Sequence, residues 1–212
     1  MGERDALLVV DVQPDFLPGG ALPVVDGDAI VPGVQRLLVS GRFPLCVATQ
    51  DWHPAGHISF ASSHAGKGPF DVVELYGHEQ VLWPDHCVQG TAGAELLGGL
   101  AWERCAAVVR KGADPAVDSY SAFRNNWDRD GRRPNTGLAG YLRELGVVRV
   151  VLCGLARDFC VAWSAEDAVD AGFATCVVWD LTRPVVGDSD WRVRDELVAR
   201  GVEIVMSDVF GG

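Results

Sequence analysis

Six short apolar runs, Ala6 to Val10, Leu45 to Thr49, Ala106 to Arg110, Val148 to Cys153, Thr175 to Trp179 and Val202 to Met206, recur along the chain without polar alternation. A strand with one wet face alternates apolar with polar residues, so runs of this kind read as strands covered on both faces. Between several of them apolar residues fall at helical spacing: Ile30, Val34, Leu37 and Leu38 after Asp28, and Leu138, Tyr141, Leu142 and Leu145 between Thr136 and Gly146. Two more such stretches run from Asp158 to Ala171, stopped by Gly172, and from Asp190 to Arg200, stopped by Gly201. Asp28, Thr136 and Asp158 are the N-cap candidates. Strands alternating with helices close through right-handed crossovers into a parallel sheet. The predicted fold is α/β: a doubly wound, mostly parallel six-stranded sheet with helices on both faces. No repeat, low-complexity tract or linker divides the chain, so residues 1–212 read as a single domain.

The charge balance, 18 Lys plus Arg against 29 Asp plus Glu, gives a net charge of -11 and weighs against a nucleic-acid partner, whose phosphates demand clustered cations. Arg129, Arg132 and Arg133 form the one short basic cluster and read as a solvated loop. The first apolar run is cut by Asp11, and no stretch approaches the roughly 18 to 20 apolar residues of a membrane span. A cytoplasmic protein with no membrane partner is expected. Cys46, Cys105, Cys153 and Cys176 sit inside apolar runs, where reduced core cysteine is common. Cys87 and Cys160 have different surroundings.

The stretch from Trp52 to Arg104 is rich in Gly, Pro and His and far exceeds the usual connection of about 4 to 6 residues. All five histidines, His53, His57, His64, His78 and His86, fall inside it. Asp51 and His53 are two apart, which in an extended chain turns both side chains to one side, and His86 arrives from the far end. One carboxylate with two imidazoles suits Zn, Fe or Mn with positions left open; the competing reading is a turn-capping Asp51 among solvated histidines.

In open α/β sheets ligands bind at the carboxyl ends of the strands, which directs attention to Asp11, Asp51, Lys111, the turn Gly154 to Cys160, and Asp180. Cys160 falls in the first turn of the helix that Asp158 is expected to cap, where the dipole and free N–H groups favour a thiolate. Asp11 and Lys111, projecting toward the same rim, would accept the thiol proton and stabilise the anion. Against this stand a buried structural cysteine and a plain Asp–Lys ion pair. Cys87 reads as structural. No G-x-G-x-x-G follows the first strand, so dinucleotide binding is not expected. Phe16, Trp83 and Tyr120 neighbour polar candidates and are consistent with walls for a flat ring.

Six segments taken together resemble the nicotinamidases, a branch of the isochorismatase-like cysteine hydrolases. They are Asp11-Val12-Gln13-Pro14-Asp15-Phe16, Gln50-Asp51-Trp52-His53-Pro54, Trp83-Pro84-Asp85-His86-Cys87, Arg110-Lys111-Gly112, Asp118-Ser119-Tyr120-Ser121-Ala122-Phe123 and Gly154-Leu155-Ala156-Arg157-Asp158-Phe159-Cys160. The resemblance implies a catalytic triad of Asp11, Lys111 and Cys160. It implies one divalent metal on Asp51, His53 and His86, zinc first, iron or manganese as alternatives, that holds the pyridine nitrogen of nicotinamide. It further implies a ring pocket lined by Phe16, Trp83 and Tyr120, and an oxyanion hole from the N–H groups of Ala156 and Cys160 after a cis peptide. Nicotinamide as small-molecule partner, its deamidation in NAD salvage and a homo-oligomer compatible with the family are the corresponding expectations. Two departures are Arg157, in place of the family's small Thr, and Leu181-Thr182-Arg183-Pro184, where a cysteine-containing motif is common. Whether His57 reaches the metal is left open. Rival readings are a metallohydrolase of another amide or ester, with Cys160 incidental, and a non-catalytic ligand-binding module.

Overall fold

The central strand β1 (Asp5–Val10) is buried along its whole length, and so is nearly all of β6 (Arg149–Leu155) beside it and of β2 (Leu45–Asp51) on its other side. The computed structural model describes residues 4–187 and 190–211; residues 1–3, at the start of the stretch read as free of an export signal, and 188, 189 and 212 lie outside the described residues. Chain order continues with α1 (Val31–Val39) before β2, then a small antiparallel hairpin of β3 (Val72–Leu75) and β4 (His78–Val81), and then β5 (Cys105–Lys111). After β5 come α2 (Leu138–Glu144), β6, α3 (Ala162–Asp170), β7 (Ala174–Arg183), α4 (Asp190–Ala199) and β8 (Glu203–Val205). The large sheet runs β5-β2-β1-β6-β7-β8, and every pairing in it is parallel, so it is wholly rather than mostly parallel.

Each predicted strand is present, but β5 departs from the expectation of two covered faces. As an edge strand it alternates, with Ala106, Val108 and Arg110 turned to solvent. An apolar run reports β character without telling an edge from a centre. No side chain caps α1. Thr136 does serve α2, its Oγ1 accepting the Leu138 N–H at 3.3 Å. Asp158 caps nothing: its two carboxylate oxygens accept the N–H groups of Val185 and Val186 at 2.9 and 2.8 Å. Arg133 is no solvated loop residue either, because it makes a bidentate pair with the buried Asp167 of α3 at 2.9 and 2.8 Å.

The long segment lies across the carboxyl edge of the sheet. Its ordered backbone comes from pairing between distant parts: His53 N to Cys87 O (3.0 Å), Gln89 N to His53 O (2.8 Å) and Ala61 N to Trp83 O (2.8 Å). Those bonds carry His86 back to the end of β2. Gly154 near the end of β6 takes φ +118°, and a Cβ there would meet the Val10 carbonyl, so only glycine lets β6 lie this close to β1. No helix among the described residues is long and apolar enough to cross a membrane.

Candidate active site

Three strand ends converge on one buried ammonium. Lys111, the last residue of β5, places its Nζ 2.7 Å from Asp11 Oδ2, 2.6 Å from Asp51 Oδ1, 3.4 Å from Cys160 Sγ and 3.2 Å from the Ser119 carbonyl. Asp11 follows β1 in the left-handed region (φ 46°), a conformation Asp tolerates better than most residues. Its backbone N–H and Oδ1 are both held by the Thr49 hydroxyl, at 3.1 and 2.6 Å. Asp51 is fixed by a two-way clamp, in which Gln13 Nε2 donates to its carbonyl at 2.9 Å and its N–H donates to Gln13 Oε1 at 2.8 Å.

Electrostatics divide the two carboxylates. Burial pushes Asp11 above the usual carboxylate range, and Lys111 only partly offsets it. For Asp51 burial also pushes upward, but Lys111 and then His53 outweigh it and hold the group well below that range. Burial disfavours the charge on Lys111, yet Asp11 and Asp51 win and keep it firmly protonated. Burial raises Cys160 well above an ordinary thiol; Lys111 opposes this, while Asp11 and Asp51 reinforce it. Cys160 lies in a π turn, Arg157–Val161, ahead of α3, and two carboxylates face it, so its surroundings pull against the thiolate that a helix start favours.

The turn carrying Cys160 begins with a cis peptide between Leu155 and Ala156, as the resemblance implied. The Ala156 carbonyl accepts the N–H groups of Phe159 (3.2 Å) and Val161 (3.0 Å), which closes the turn around Cys160.

Around Asp51 the three expected metal ligands come together. His53 Nε2 and His86 Nε2 stand 3.4 and 3.7 Å from Asp51 Oδ2. The other ring nitrogens are tied to carbonyls, His53 Nδ1 to Gly112 O at 3.0 Å and His86 Nδ1 to Pro84 O at 2.8 Å. A carbonyl only accepts, so each Nδ1 carries a proton and each Nε2 is the nitrogen turned toward Asp51, the one that would face a metal ion. Gly112 (φ +65°) permits this approach, since a Cβ would run into the His53 ring. The donor set fits a divalent ion of the zinc type, and one ligand atom from each residue lies within 4.8 Å of the others. His57 is accounted for differently. Its Nε2 faces the Asp114 carbonyl at 2.9 Å and its Nδ1 meets the Ser59 hydroxyl at 2.7 Å, so both nitrogens have partners of their own, although His57 also stands near His53 and Asp118 in a second group with metal-ligand spacing. Burial, the largest cause, lowers its pKa, and its ring lies tilted against that of His53 with centroids 4.4 Å apart.

The thiol and the imidazoles open into one cavity. Phe16, Trp83 and Tyr120 line it as expected. Leu22, Asp118, Phe159 and Val185 line it too and were missed by sequence reasoning; only Phe159, adjacent to Cys160, offered a signal. Trp83 Nε1 and Gln80 Nε2 both donate to the Tyr120 hydroxyl, at 3.1 and 2.8 Å, which locks that wall. Asp180, inspected as a strand-end residue, is outside the site: β7 runs on past it, and its carboxylate accepts from Ser207.

The sequence pattern of the isochorismatase domain matches residues 5–204. The chain belongs to the isochorismatase domain family. Within that family it is 47% identical to the nicotinamidase of Acinetobacter baylyi, over 95% of this chain and 92% of that one. Among solved structures it superposes on a nicotinamidase/pyrazinamidase from Acinetobacter baumanii with a TM-score of 0.92 and 43% identity, covering 99% of both chains. A pyrazinamidase from Pyrococcus horikoshii, solved in complex with zinc, matches with a TM-score of 0.77 and 36% identity over 96% of this chain and 99% of that one.

Proposed function

We propose that this chain is a nicotinamidase that hydrolyses nicotinamide to nicotinate and ammonia through a thioester on Cys160. The observation that carries the reading is the single aromatic cavity in which a buried thiol 3.4 Å from Lys111 faces a His–His–Asp cluster. A cysteine nucleophile alone fits many acyl transfers, and the imidazole pair alone fits many metal sites. Their placement around one small aromatic-lined cavity suits an aromatic ring carrying both a carboxamide and a ring nitrogen.

In the free enzyme the thiol keeps its proton, and Asp11, raised by burial, is suited to take it as attack begins. The sulfur adds to the carboxamide carbon, and the N–H groups of Ala156 and Cys160 receive the oxygen as it gains charge. Protonated Asp11 then gives its proton to the departing nitrogen, releasing ammonia and leaving the acyl group on sulfur. Asp11, again a carboxylate, draws a proton from water, which attacks the thioester; nicotinate leaves and the proton returns to Cys160. Lys111 stays charged throughout and compensates whichever of its neighbours is anionic. Asp51, His53 and His86 would hold a divalent ion, zinc first, whose contribution is a Lewis-acidic contact for the ring nitrogen. Trp83, Tyr120 and Phe16 orient the ring so that the carboxamide carbon meets the sulfur. Six free cysteines, five of them buried, accord with a reducing cytoplasmic setting.

Incubating the purified protein with nicotinamide and measuring ammonia and nicotinate tests this directly. Equimolar release of both is expected; tight binding of nicotinamide without release of either would leave only a ligand-binding role.

A further inference from the structure

Arg157 occupies the position of the nucleophile turn where a small Thr is expected, and the structure shows its long charged side chain fully engaged. Its Nε donates to Thr182 Oγ1 at 2.8 Å, and its Nη2 donates to the Trp179 and Thr182 carbonyls at 2.8 and 2.7 Å. Nη1 meets both carboxylate oxygens of Asp190 at 2.5 and 2.6 Å. The guanidinium also lies flat over the Trp179 ring, 4.0 Å from its centroid. None of these atoms faces the substrate cavity. They grip the far end of β7, while the neighbouring Asp158 grips the next stretch through the N–H groups of Val185 and Val186.

Residues 184–187 therefore form a strap that Asp158 holds directly at Val185 and Val186, while Arg157 holds the chain on either side of it, at Trp179 and Thr182 before it and at Asp190 after it. Behind the strap lies an open cleft of about 910 Å³ lined by Arg157, Trp179, Asp190 and Val185 itself. In front, Val185 and Leu22 line both the inner cavity and the outer funnel, which makes them the neck between the two. Val185 packs against the core on its inner side, and with a hollow at its back the strap depends on the hydrogen bonds of Asp158, and on those of Arg157 to its flanks, to keep it there.

We infer that Arg157 and Asp158 are positioning residues that clasp Val185 at the neck, and that Val185 thereby determines which ring-substituted aromatic carboxamides reach Cys160. The inference rests on the proposed nicotinamidase reading. Neither clasp residue touches substrate. Small unsubstituted rings pass the neck, and rings enlarged by a methyl group are rejected because Val185 cannot retreat while both fasteners hold.

The test uses the intact protein and the ratio of kcat/KM for methyl-substituted nicotinamides (the 5- and 6-methyl isomers) to that for nicotinamide. Val185→Ala is expected to raise this ratio about tenfold for at least one isomer, since a pocket discriminates a methylene by roughly 10- to 200-fold. Asp158→Ala should raise it in the same direction, as should Arg157→Ala if that variant folds. Arg149→Ala, which removes a pair with Asp5 at the opposite end of the sheet (2.8 Å), should lower the melting temperature and leave the ratio alone. Amide hydrogen exchange at Val185 and Val186 gives a readout independent of turnover, and Asp158→Ala should accelerate both. A ratio that stays within twofold in Val185→Ala overturns the neck assignment, and unchanged exchange in Asp158→Ala overturns the clasp. Parent protein that releases no ammonia from nicotinamide refutes the function itself, and the exchange measurement then decides the clasp alone.

Discussion

The site is built from two halves, one on the sheet and one on the long loop, and each holds a buried cysteine, of which only Cys160 lines the cavity. Cys160 comes from the sheet half, where Asp11, Lys111 and Cys160 follow strands β1, β5 and β6. Cys87 comes from the loop half, next to His86, with its thiol pointing at no stronger partner than the Gly93 carbonyl at 4.0 Å. Burial pushes both thiols up. What separates them is company: only Cys160 has an ammonium at 3.4 Å and a carboxylate placed to take its proton. A reactive cysteine is made here by the strand ends around it, and a buried thiol beside a metal ligand remains a packing residue.

The sharpest way to break this contrast is Cys160→Ala. Turnover of nicotinamide should fall by about 10⁴-fold or more, as for removal of other covalent nucleophiles. Metal content, measured by atomic emission, should persist because Asp51, His53 and His86 are untouched. Substantial residual ammonia release would favour a hydrolase whose nucleophile is not sulfur. Lys111→Met comes next. It leaves the buried carboxylates of Asp11 and Asp51 without their cation, and losing one partner of a buried ionic group costs about 3–5 kcal/mol. Denaturant unfolding should show that loss, and a variant as stable as the parent would remove Lys111 from the centre of the network.

The loop half is probed by His86→Ala or by chelation. If that half holds the ring and the sheet half does the chemistry, KM for nicotinamide should rise at least about tenfold. Alkylation of Cys160 by iodoacetamide should stay within a few-fold of the parent. Unchanged nicotinamide affinity after chelation would contradict the division.

Sequence reasoning reached the sheet half more fully than the loop half, for a physical reason. Parallel strands written as apolar runs fix where their carboxyl ends go, so Asp11, Lys111 and Cys160 could be brought to one rim from patterning alone. His86 could be assigned only through its company with Asp51 and His53, because the backbone bonds that deliver it, such as His53 N to Cys87 O at 3.0 Å, join residues with no periodic signal. Val185 and Leu22 were invisible for the same reason. The pressures on the thiol were only partly legible, because a helix start can be read in sequence, whereas desolvation and the facing carboxylates of Asp11 and Asp51 exist only in the fold.

A smaller effect sharpens the acid–base assignment. Asp11 must be ionised to take the Cys160 proton, and burial raises its pKa. The acid limb of kcat/KM should therefore lie above the roughly 3.9 of a free aspartate, with activity lost as pH falls through it. The Thr49 hydroxyl donates to Asp11 Oδ1 at 2.6 Å and favours the carboxylate. Thr49→Val should thus move the limb to higher pH, by up to about one unit. A limb that does not move would assign it to another group.

The smallest effect belongs to Cys87→Ala. Cys87 is wholly buried, and its N–H donates to Asp15 Oδ2 at 2.7 Å, a backbone bond that alanine keeps. What is lost is one sulfur atom packed near Gly93, so stability should fall by about 1–2 kcal/mol in denaturant unfolding. The positive φ of 46° at this position is as uphill for alanine as for cysteine, so it adds nothing to the difference. Because the His53 and His86 ring nitrogens are oriented by Gly112 and Pro84 and not by the Cys87 thiol, metal content and kcat/KM should stay within about threefold of the parent. Loss of the metal in this variant would mean that the thiol takes part in the loop half's chemistry, and the contrast between the two cysteines would no longer hold.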